Sequence, residues 1–375
     1  NDEIIGEIPI DALASKAPMY DRKWTKTKLP EKKIKTKELK KIKLEDAFLK
    51  ILSSPNHSNK SWVTEQFDQM VMTDTAQKSG GNAAVIRIHK KEKSIAVTVD
   101  SSANYCKAHP LTGGKQIVCE SWRNLISVGA KPLAITNCLN FGNPESPKVM
   151  GEFAECLLGL KEACEFLDYP VVSGNVSFYN GTNKKNIDPT PVIGGVGLIQ
   201  ESKNKINHLL KKEENIILQV GKTFGHLYQS VFFKEVYSIT EGPPPEINLS
   251  NEKNNGITVL NLINNKLISS AHDISSGGLI LALAEMCMSS GLGLKIEKPS
   301  KLSNLMEYYF GEDQGRYLLE IEPKNYQKVV KNLNENNIFN EKIATVQKNK
   351  LEIIGELKLN IDDLYKINNT WYNNY

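Results

Sequence analysis

The chain has 375 residues, of which 40% are hydrophobic and 24% charged, and its formal net charge at pH 7 is +4. A polypeptide of this length exceeds the usual size of one domain, so two hydrophobic cores are expected. The sequence contains no apolar run long enough to cross a bilayer and no basic-then-apolar leader, which argues against membrane insertion and favours a cytoplasmic location.

Residues 23–60 read as a basic linker followed by a helix, which is predicted over Leu44–Leu52. Lysines alternate with Pro, Thr, Leu and Ile between Arg22 and Lys43, a composition that can attract nucleic acid. No aromatic residue beyond Trp24 is interleaved with these lysines, although stacking is the usual companion of such charge. We therefore interpret this stretch as a solvated linker and expect no nucleic-acid partner.

A first domain is predicted over residues 61–205. Alternating patterns at Ala83–His89 and Ser94–Val99 predict paired strands, and a helix is expected from about Gly114 to Val128. A second helix is predicted over Pro147–Leu167 and a further strand over Val192–Leu198.

Two segments flanking the second helix are rich in Gly, Asn and Ser, namely Asn137–Pro144 and Ser173–Ser177. Each follows a short apolar run, so we interpret them as turns at strand ends that present amides and hydroxyls to phosphate and metal. The alternative is that they are turns without further function, since the same residues are common turn formers.

A second domain is predicted over residues 206–375, after the polar stretch Glu201–Asn215. The hydroxyl-rich and Gly-rich segment Ser269–Gly278 leads into an apolar helix, which is typical of a helix N-terminus prepared for an anion. The other predicted elements are strands at Ile216–Gly221, Tyr317–Ile321 and Ala344–Val346 and helices at Gly278–Ser290 and Tyr326–Asn334.

The six cysteines show no CxxC pair, so small buried hydrophobic side chains are a better interpretation than a zinc site or disulfides. Cys138 is the exception, because it lies inside the first Gly/Asn/Ser segment.

Four long segments resemble phosphoribosylformylglycinamidine synthase, and the similarity extends over nearly the whole chain. The segments are Leu133–Pro144, Pro170–Tyr179, Pro189–Leu198 and Ala271–Leu279. The resemblance is to the second of that enzyme's two homologous halves; residues 1–22 resemble the end of the first half, and the chain does not begin with Met. We therefore expect a C-terminal half of a longer enzyme.

The resemblance implies an α+β, aminoimidazole ribonucleotide synthetase-like fold, with an N-terminal α/β domain built on a mixed or antiparallel sheet and a C-terminal α/β domain. The implied reaction is the phosphorylation by ATP of the amide oxygen of formylglycinamide ribonucleotide, followed by displacement of phosphate by ammonia from glutamine. Such chemistry depends on positioning and charge neutralisation. The implied cofactors are ATP or ADP and Mg²⁺, and the implied partners are the N-terminal half, a glutaminase subunit or domain and a small accessory subunit.

Four positions match the family's main site. Asn137 and Gly174 match ATP contacts, Asn175 matches a magnesium ligand, and Ser177 matches a substrate contact. Many relatives carry Asp at the position of Asn137, so a metal role is in doubt there, while a hydrogen bond to the nucleotide is retained. No catalytic residue is expected in this half, because the family's essential histidine lies in the other one.

Long-chain members of the family bind a second, auxiliary nucleotide. The positions that match its metal ligands are Asp100, Glu120, Asn124 and Asp273, and Ser275 matches a nucleotide contact. Glu120 and Asn124 are spaced i,i+4, which puts both on one helix face. A surface ion pair is the alternative for Glu120.

His272 and Arg316 are expected to be structural. A histidine at a strand end is more often a hydrogen bonder than a base, and we expect Arg316, in the loop Gly311–Arg316, to be an ion-pair partner.

Three functions remain open: an enzyme half, a nucleotide-binding structural half that is inactive alone, and a self-dimerising ATP-dependent synthetase of the same superfamily. The motif Asn140–Pro144 argues against the third. A lone half is expected to expose a sheet edge and an apolar face, and so to form a homodimer or aggregate.

Overall fold

The computed structural model of the chain describes residues 3–34, 39–183, 185–297, 299 and 304–373. The helices are α1 (Ile10–Leu13), α2 (Leu44–Leu52), α3 (Ser61–Thr64), α4 (Ala103–Ala108), α5 (Pro110–Ser127), α6 (Pro147–Leu167), α7 (Val231–Tyr237), α8 (Leu249–Asn264), α9 (Gly278–Ser290), α10 (Leu305–Phe310), α11 (Tyr326–Glu335) and α12 (Ile361–Asn373). The strands are β1 (Thr75–Gln77), β2 (Ala84–Arg87), β3 (Ser94–Asp100), β4 (Lys131–Asn140), β5 (Val171–Ser177), β6 (Gly181–Thr182), β7 (Lys185–Asn186), β8 (Thr190–Ile199), β9 (Ile216–Val220), β10 (Ser270–Asp273), β11 (Gly293–Ile296), β12 (Tyr317–Ile321), β13 (Asn340–Gln347), β14 (Lys350–Ile353) and β15 (Leu357–Asn360).

The first sheet has six strands in the order β1-β2-β3-β8-β4-β5. Its neighbours are antiparallel, except that β4 and β5 run parallel, and β5 forms one edge. α6 connects these two parallel strands, as the crossover of a βαβ unit does. α5 and α6 pack on one face of the sheet.

Close contact between α5 and α6 depends on glycine. A Cβ on Gly114 would lie 2.5 Å from the carbonyl oxygen of Cys156, and one on Gly159 would lie 2.1 Å from that of Leu111. The two helices therefore approach backbone to backbone, which only glycine permits at these positions.

The other face of the first sheet, called the open face below, carries several exposed hydrophobic side chains. Along β3, Ser94, Ala96 and Thr98 are buried under the helices, so the alternate residues, among them Val99, point to the opposite side. A sheet face that stays in water is normally polar. The exposed hydrophobic side chains of the open face are Ile86, Val99, Leu133 and Val196.

The second sheet has seven strands in the order β10-β12-β9-β13-β11-β14-β15. It packs against α9, which is almost wholly buried because nearly all of its residues are apolar. α9 begins after Gly277 and ends before Gly291, and both glycines have positive φ angles of 79° and 72°. β8 ends at Ile199 and β9 begins at Ile216, so the sequence-predicted boundary near residue 205 falls between the two sheets.

The described part of the lysine-rich segment is mostly exposed, as a solvated linker would be, but its backbone is hydrogen-bonded to the domains at two points. The backbone N–H of Thr27 donates to the buried carboxylate of Glu155 on α6 at 2.7 Å. Farther along, the N–H of Ile34 donates to the hydroxyl of Tyr228 at 2.8 Å. Residues 35–38 of the segment lie outside the described residues.

The predicted nucleotide and metal turns are also corrected. Asn137 lies in the middle of β4, and Gly174, Asn175 and Ser177 lie within β5. Their Gly, Asn and Ser content is typical of turns, but the pairing of β4 with β5 and β8 outweighs this local preference.

Candidate functional site

The four residues that match the main site lie side by side on the paired strands β4 and β5. We call this group of four residues the edge pair, after the two strands. In the parallel register, Asn137 is opposite Gly174, Cys138 is opposite Asn175, and Asn140 is opposite Ser177. Paired residues share a face and successive residues alternate. The side chain of Asn137 and the Cα of Gly174 therefore face the helices, whereas Asn175 and Ser177 point to the open face.

Gly174 gives Asn137 its space. A Cβ on Gly174 would lie 2.2 Å from Oδ1 of Asn137, so any larger residue would displace this amide. Asn137 also lines a cavity of about 540 Å³ between α6 and the start of β5, beside Leu160 and Lys161. A nucleotide base or ribose would find both an apolar wall and an amide there.

Asn175 and Ser177 lie at the sheet edge with little cover. Asn175 is exposed, and its Nδ2 lies 3.9 Å from the Sγ of exposed Cys138. The hydroxyl of Ser177 donates to Oδ1 of Asn180 at 3.2 Å. The exposed Asn175 amide is thus presented to a ligand or to a second protein surface, whereas the half-buried Ser177 hydroxyl is held by Asn180.

The residues that match the auxiliary site, Asp100, Glu120, Asn124 and Asp273, also come together, and we call them the acidic cluster. Asp100 ends β3, Glu120 and Asn124 lie on α5, and Asp273 ends β10. Nδ2 of Asn124 donates to Oδ1 of Asp100 at 2.8 Å. Glu120 is half-buried and accepts from the hydroxyl of Ser102 at 3.2 Å.

Burial and neighbouring carboxyl groups raise the pKa values of two carboxyls of the cluster, Asp100 and Glu120. Burial raises the pKa of Asp100 to about 7, and the nearby Asp273 carboxylate acts in the same direction. Burial together with the charge of Asp100 raises the pKa of Glu120 to about 8. These effects are expected where like charges are enclosed together.

Two buried side chains that the sequence did not single out hold the cluster together. Nδ2 of Asn82 donates to Oδ1 of Asp273 at 2.8 Å and to Oδ1 of Asn124 at 3.1 Å. Arg123 is fully buried, with its NH1 2.5 Å from Oε1 of Glu252 and its Nε 3.9 Å from Oδ2 of Asp273. In the sequence, the two consecutive glycines directly before Asn82, Gly80 and Gly81, are a local signal of an unusual backbone conformation.

His272 is a hydrogen-bonding bridge, as expected. Its Nδ1 lies 2.9 Å from Oδ1 of Asn82, and its Nε2 lies 3.0 Å from Oε2 of Glu285. Burial lowers the pKa of His272, but the hydrogen bond and charge of Glu285 outweigh burial and leave the pKa above its ordinary value.

Among the residues that the structure describes, Arg316 forms no ion pair, in contrast to the expectation. It is fully buried and donates to the carbonyl oxygens of Gly311 at 2.6 Å and Asp313 at 2.9 Å, and to the hydroxyl of Thr223 at 3.0 Å. The carboxylate of Asp313 instead accepts from the N–H of Phe224 and Gly225. The loop Gly311–Arg316 is therefore held in place by hydrogen bonds from the buried Arg316 side chain to its own backbone.

Ser275 and part of the acidic cluster line a cavity of about 690 Å³. Asn124, Asp273 and Ser275 form one side, and Lys60 lies on the wall contributed by residues 52–64. α12 closes the cavity with Tyr365 and Asn368. This volume lies in the range of pockets that hold a cofactor.

Metal binding at either place stays a prediction. Within residues 3–34, 39–183, 185–297, 299 and 304–373, no group of three or more His, Cys, Asp or Glu side chains is arranged to hold a metal ion. None of the described helices combines the length and apolar character needed to cross a membrane.

Two family models match the chain: "AIR synthase related protein, N-terminal domain" over residues 80–199 and "AIR synthase related protein, C-terminal domain" over residues 212–356. The phosphoribosylformylglycinamidine synthase subunit PurL of Pelagibacter ubique is 53% identical over 376 residues, covering 100% of this chain and 52% of that protein. The chain thus spans about half the length of this curated relative.

Solved structures show the same fold. PurL of Thermotoga maritima complexed with FGAR has a TM-score of 0.69 at 14% identity and covers 87% of this chain and 54% of its own. The same protein complexed with AMPPCP has a TM-score of 0.60 at 26% identity and covers 92% and 48%.

Proposed function

Because the chain belongs to the AIR synthase related family, we propose that it is one half of a cytoplasmic phosphoribosylformylglycinamidine synthase. In purine biosynthesis this ligase converts formylglycinamide ribonucleotide to formylglycinamidine ribonucleotide, with ATP and with ammonia released from glutamine. The similarity to PurL over the full chain supports this assignment.

The observation that carries the proposal is the position of Asn175 and Ser177, two residues of the edge pair, at the rim of the open face, which carries exposed hydrophobic side chains. Val99 is 70% exposed on the open face and Val172 is 72% exposed on β5, although β-branched residues normally pack against a neighbour. A contiguous exposed apolar surface of this kind marks a site of association. A companion half that docks there would enclose Asn175 and Ser177 at the seam.

Each residue of the edge pair has a role that its chemistry allows. The Asn137 amide hydrogen-bonds the nucleotide, and Gly174 keeps that amide accessible. The Asn175 side-chain oxygen is a hard donor of the type that Mg²⁺ prefers, and the Ser177 hydroxyl contacts the substrate. When bound, Mg²⁺ neutralises phosphate charge.

This half contributes binding and orientation, while the essential histidine belongs to the companion half. The further partners are a glutaminase subunit or domain, which supplies ammonia, and a small accessory subunit. This division explains why the chain needs no nucleophile of its own: exposed Cys138 lies on the open face, beside Asn140 and Asn175, whose amides are not bases.

A second candidate function is nucleotide binding without turnover. The observation that favours it is the cavity of about 690 Å³, where Ser275 and Asp273 face the wall that carries Lys60. A nucleotide there would be a structural ligand of this half alone.

The two functions are separated by reconstitution. The chain is mixed with the companion half, and formylglycinamidine ribonucleotide is measured with ammonia, ATP and the substrate. We expect product in the mixture and none with either half alone. Product from this chain alone would contradict the placement of the essential histidine.

A further inference from the structure

Most side-chain oxygens of Asp100, Asn124 and Asp273 already accept hydrogen bonds from donors within the chain. Asp273 Oδ1 and Asn124 Oδ1 both accept from the Asn82 amide, at 2.8 Å and 3.1 Å. Asp100 accepts at both oxygens, from Asn124 at 2.8 Å and from the Thr98 hydroxyl at 2.9 Å. The Asn82 Nδ2 thus lies between two of the oxygens that a divalent cation in the cluster would have to bridge.

The orientation of the Asn82 amide is fixed by its surroundings. Its Oδ1 faces Nδ1 of His272 at 2.9 Å, and its Nδ2 faces the two oxygens. A reversed amide would place an oxygen against two acceptors. Asn82 is 7% exposed, so water does not relieve such a mismatch.

The positive charge next to the cluster also comes from the protein. Arg123 Nε and Asp273 Oδ2 are both buried without a hydrogen bond among the described residues, and they lie 3.9 Å apart as an ion pair. The oxygen of Asp273 that Asn82 leaves unused therefore faces a guanidinium.

We propose that the acidic cluster is metal-free in this chain, and that the Asn82 amide takes the position of a divalent cation while Arg123 supplies the compensating charge. The proposal rests on the auxiliary site of the proposed function only for its location. It means that a nucleotide in the neighbouring cavity would bind without a cation held by these four residues. Of the five positions that match magnesium ligands of the family, Asn175 would then remain as the one that holds the cation.

The test replaces the amide donor of Asn82 with a carboxylate, which can bind a metal ion. Asn82→Asp puts a carboxylate among Asp100, Asn124 and Asp273, so we expect a lower melting temperature in EDTA and recovery by several degrees in saturating Mn²⁺. The wild-type chain should show the same melting temperature in both conditions. Mn²⁺ is the probe, and its uptake is also followed by loss of the free-ion electron paramagnetic resonance signal.

Asn215→Asp is the matched control. Asn215 is 2% exposed and donates to a single carboxylate, Glu320, at 2.8 Å, so the variant also places an Asp beside a buried acid. Both oxygens of Glu320 already accept from Lys211 N–H, at 2.9 and 3.0 Å. We expect a lower melting temperature that Mn²⁺ does not restore.

Two results would overturn the proposal. One is an Asn82→Asp variant whose stability does not respond to Mn²⁺. The other is Mn²⁺ uptake by the wild-type chain that Asp273→Asn abolishes and Asn175→Ala retains; this comparison decides the question even where Asn82→Asp fails to fold. Neither measurement needs ATP, substrate or turnover, so an error in the proposed function leaves this test intact.

Discussion

The edge pair and the acidic cluster are both built from oxygen-bearing side chains at strand positions, yet they differ in what surrounds them. In the edge pair, Asn175 is exposed, and within the described part of the chain its amide contacts the weak thiol of Cys138 at 3.9 Å. In the acidic cluster, Asp273 is 3% exposed and accepts from Asn82, and Arg123 lies close by. The first place is left for something outside the chain to complete, whereas the second is completed from within.

The difference teaches how to separate binding from architecture in a chain of this kind. A polar group that stays in water has no desolvation penalty, so its position can be set by a ligand. A buried carboxylate must be satisfied at all times, so its neighbours are structural. Substitutions in the cluster should therefore change stability, and substitutions in the edge pair should change function.

The largest effect is expected from Arg123→Met. Removal of the guanidinium leaves Glu252 buried and unpaired, which should lower the free energy of unfolding by about 3–5 kcal/mol. Urea denaturation measures this loss. Arg87→Met, which breaks the partly exposed pair with Asp74, is the control and should cost about 1 kcal/mol or less. Equal losses in the two variants would erase the proposed contrast.

The next effect is a pH dependence at the rim of the cluster. Burial and the neighbouring His272 lower the pKa of His208 to about 4, from 6.5, so the folded state disfavours the charged form. Stability is then complete above the unfolded pKa and is lost as pH falls from about 6.5 towards 4. Between about pH 7.5 and about pH 5 the loss should be about 2 kcal/mol.

His208→Gln isolates that contribution. The groups that face His208 are the hydroxyl of Ser289, which lies 3.0 Å from its Nε2, together with His272, Glu285, Lys211 and the Gly81 backbone, and all of them remain in the variant. Urea denaturation gives the free energy of unfolding at each pH. The difference in that free energy between the two pH values should be about 2 kcal/mol smaller in the variant than in the wild-type chain. An unchanged pH dependence would show that His208 is not the titrating group.

A smaller effect is expected at Asn175. Asn175→Ala should leave the melting temperature unchanged and reduce nucleotide affinity or activity with the companion half by roughly ten-fold, the value of one hydrogen bond to a charged group. Asn254→Ala, at an exposed helix position, is the control. If both variants keep full activity across a magnesium titration, the ligand role of Asn175 is wrong.

The smallest effect on the isolated chain is expected from Val172→Lys. Val172 is 72% exposed, so its replacement should change the free energy of unfolding by about 0.5 kcal/mol or less. A lysine on an edge strand opposes pairing, however, and the companion half should bind more weakly in sedimentation. Ile257→Lys, on α8, should leave that binding unchanged.

Local signals in the sequence were sufficient for three of the helices, whereas α5 begins at Pro110, four residues before the predicted start at Gly114. Predicted bounds match the structure for α2, α6 and α9, since Pro147 starts one of these helices and Gly291 ends another. The same local reasoning took parts of β4 and β5 for turns, because Asn137 and Gly174 lie in strands through the pairing of β4 with β5 and β8, which no local pattern reports.

The site was predictable only in part. The resemblance grouped Asp100, Glu120, Asn124 and Asp273, and the structure brings them together. Asn82 and Arg123 were missed because their partners are 191 and 129 residues away along the chain, and no local pattern reports such a pair.

The exposed thiol of Cys138 allows the open face to be labelled. The other five cysteines are buried, so a maleimide dye should label this one thiol without any engineering of the chain. The label would sit next to Asn175, and its fluorescence would report in real time when a second protein closes over the sheet.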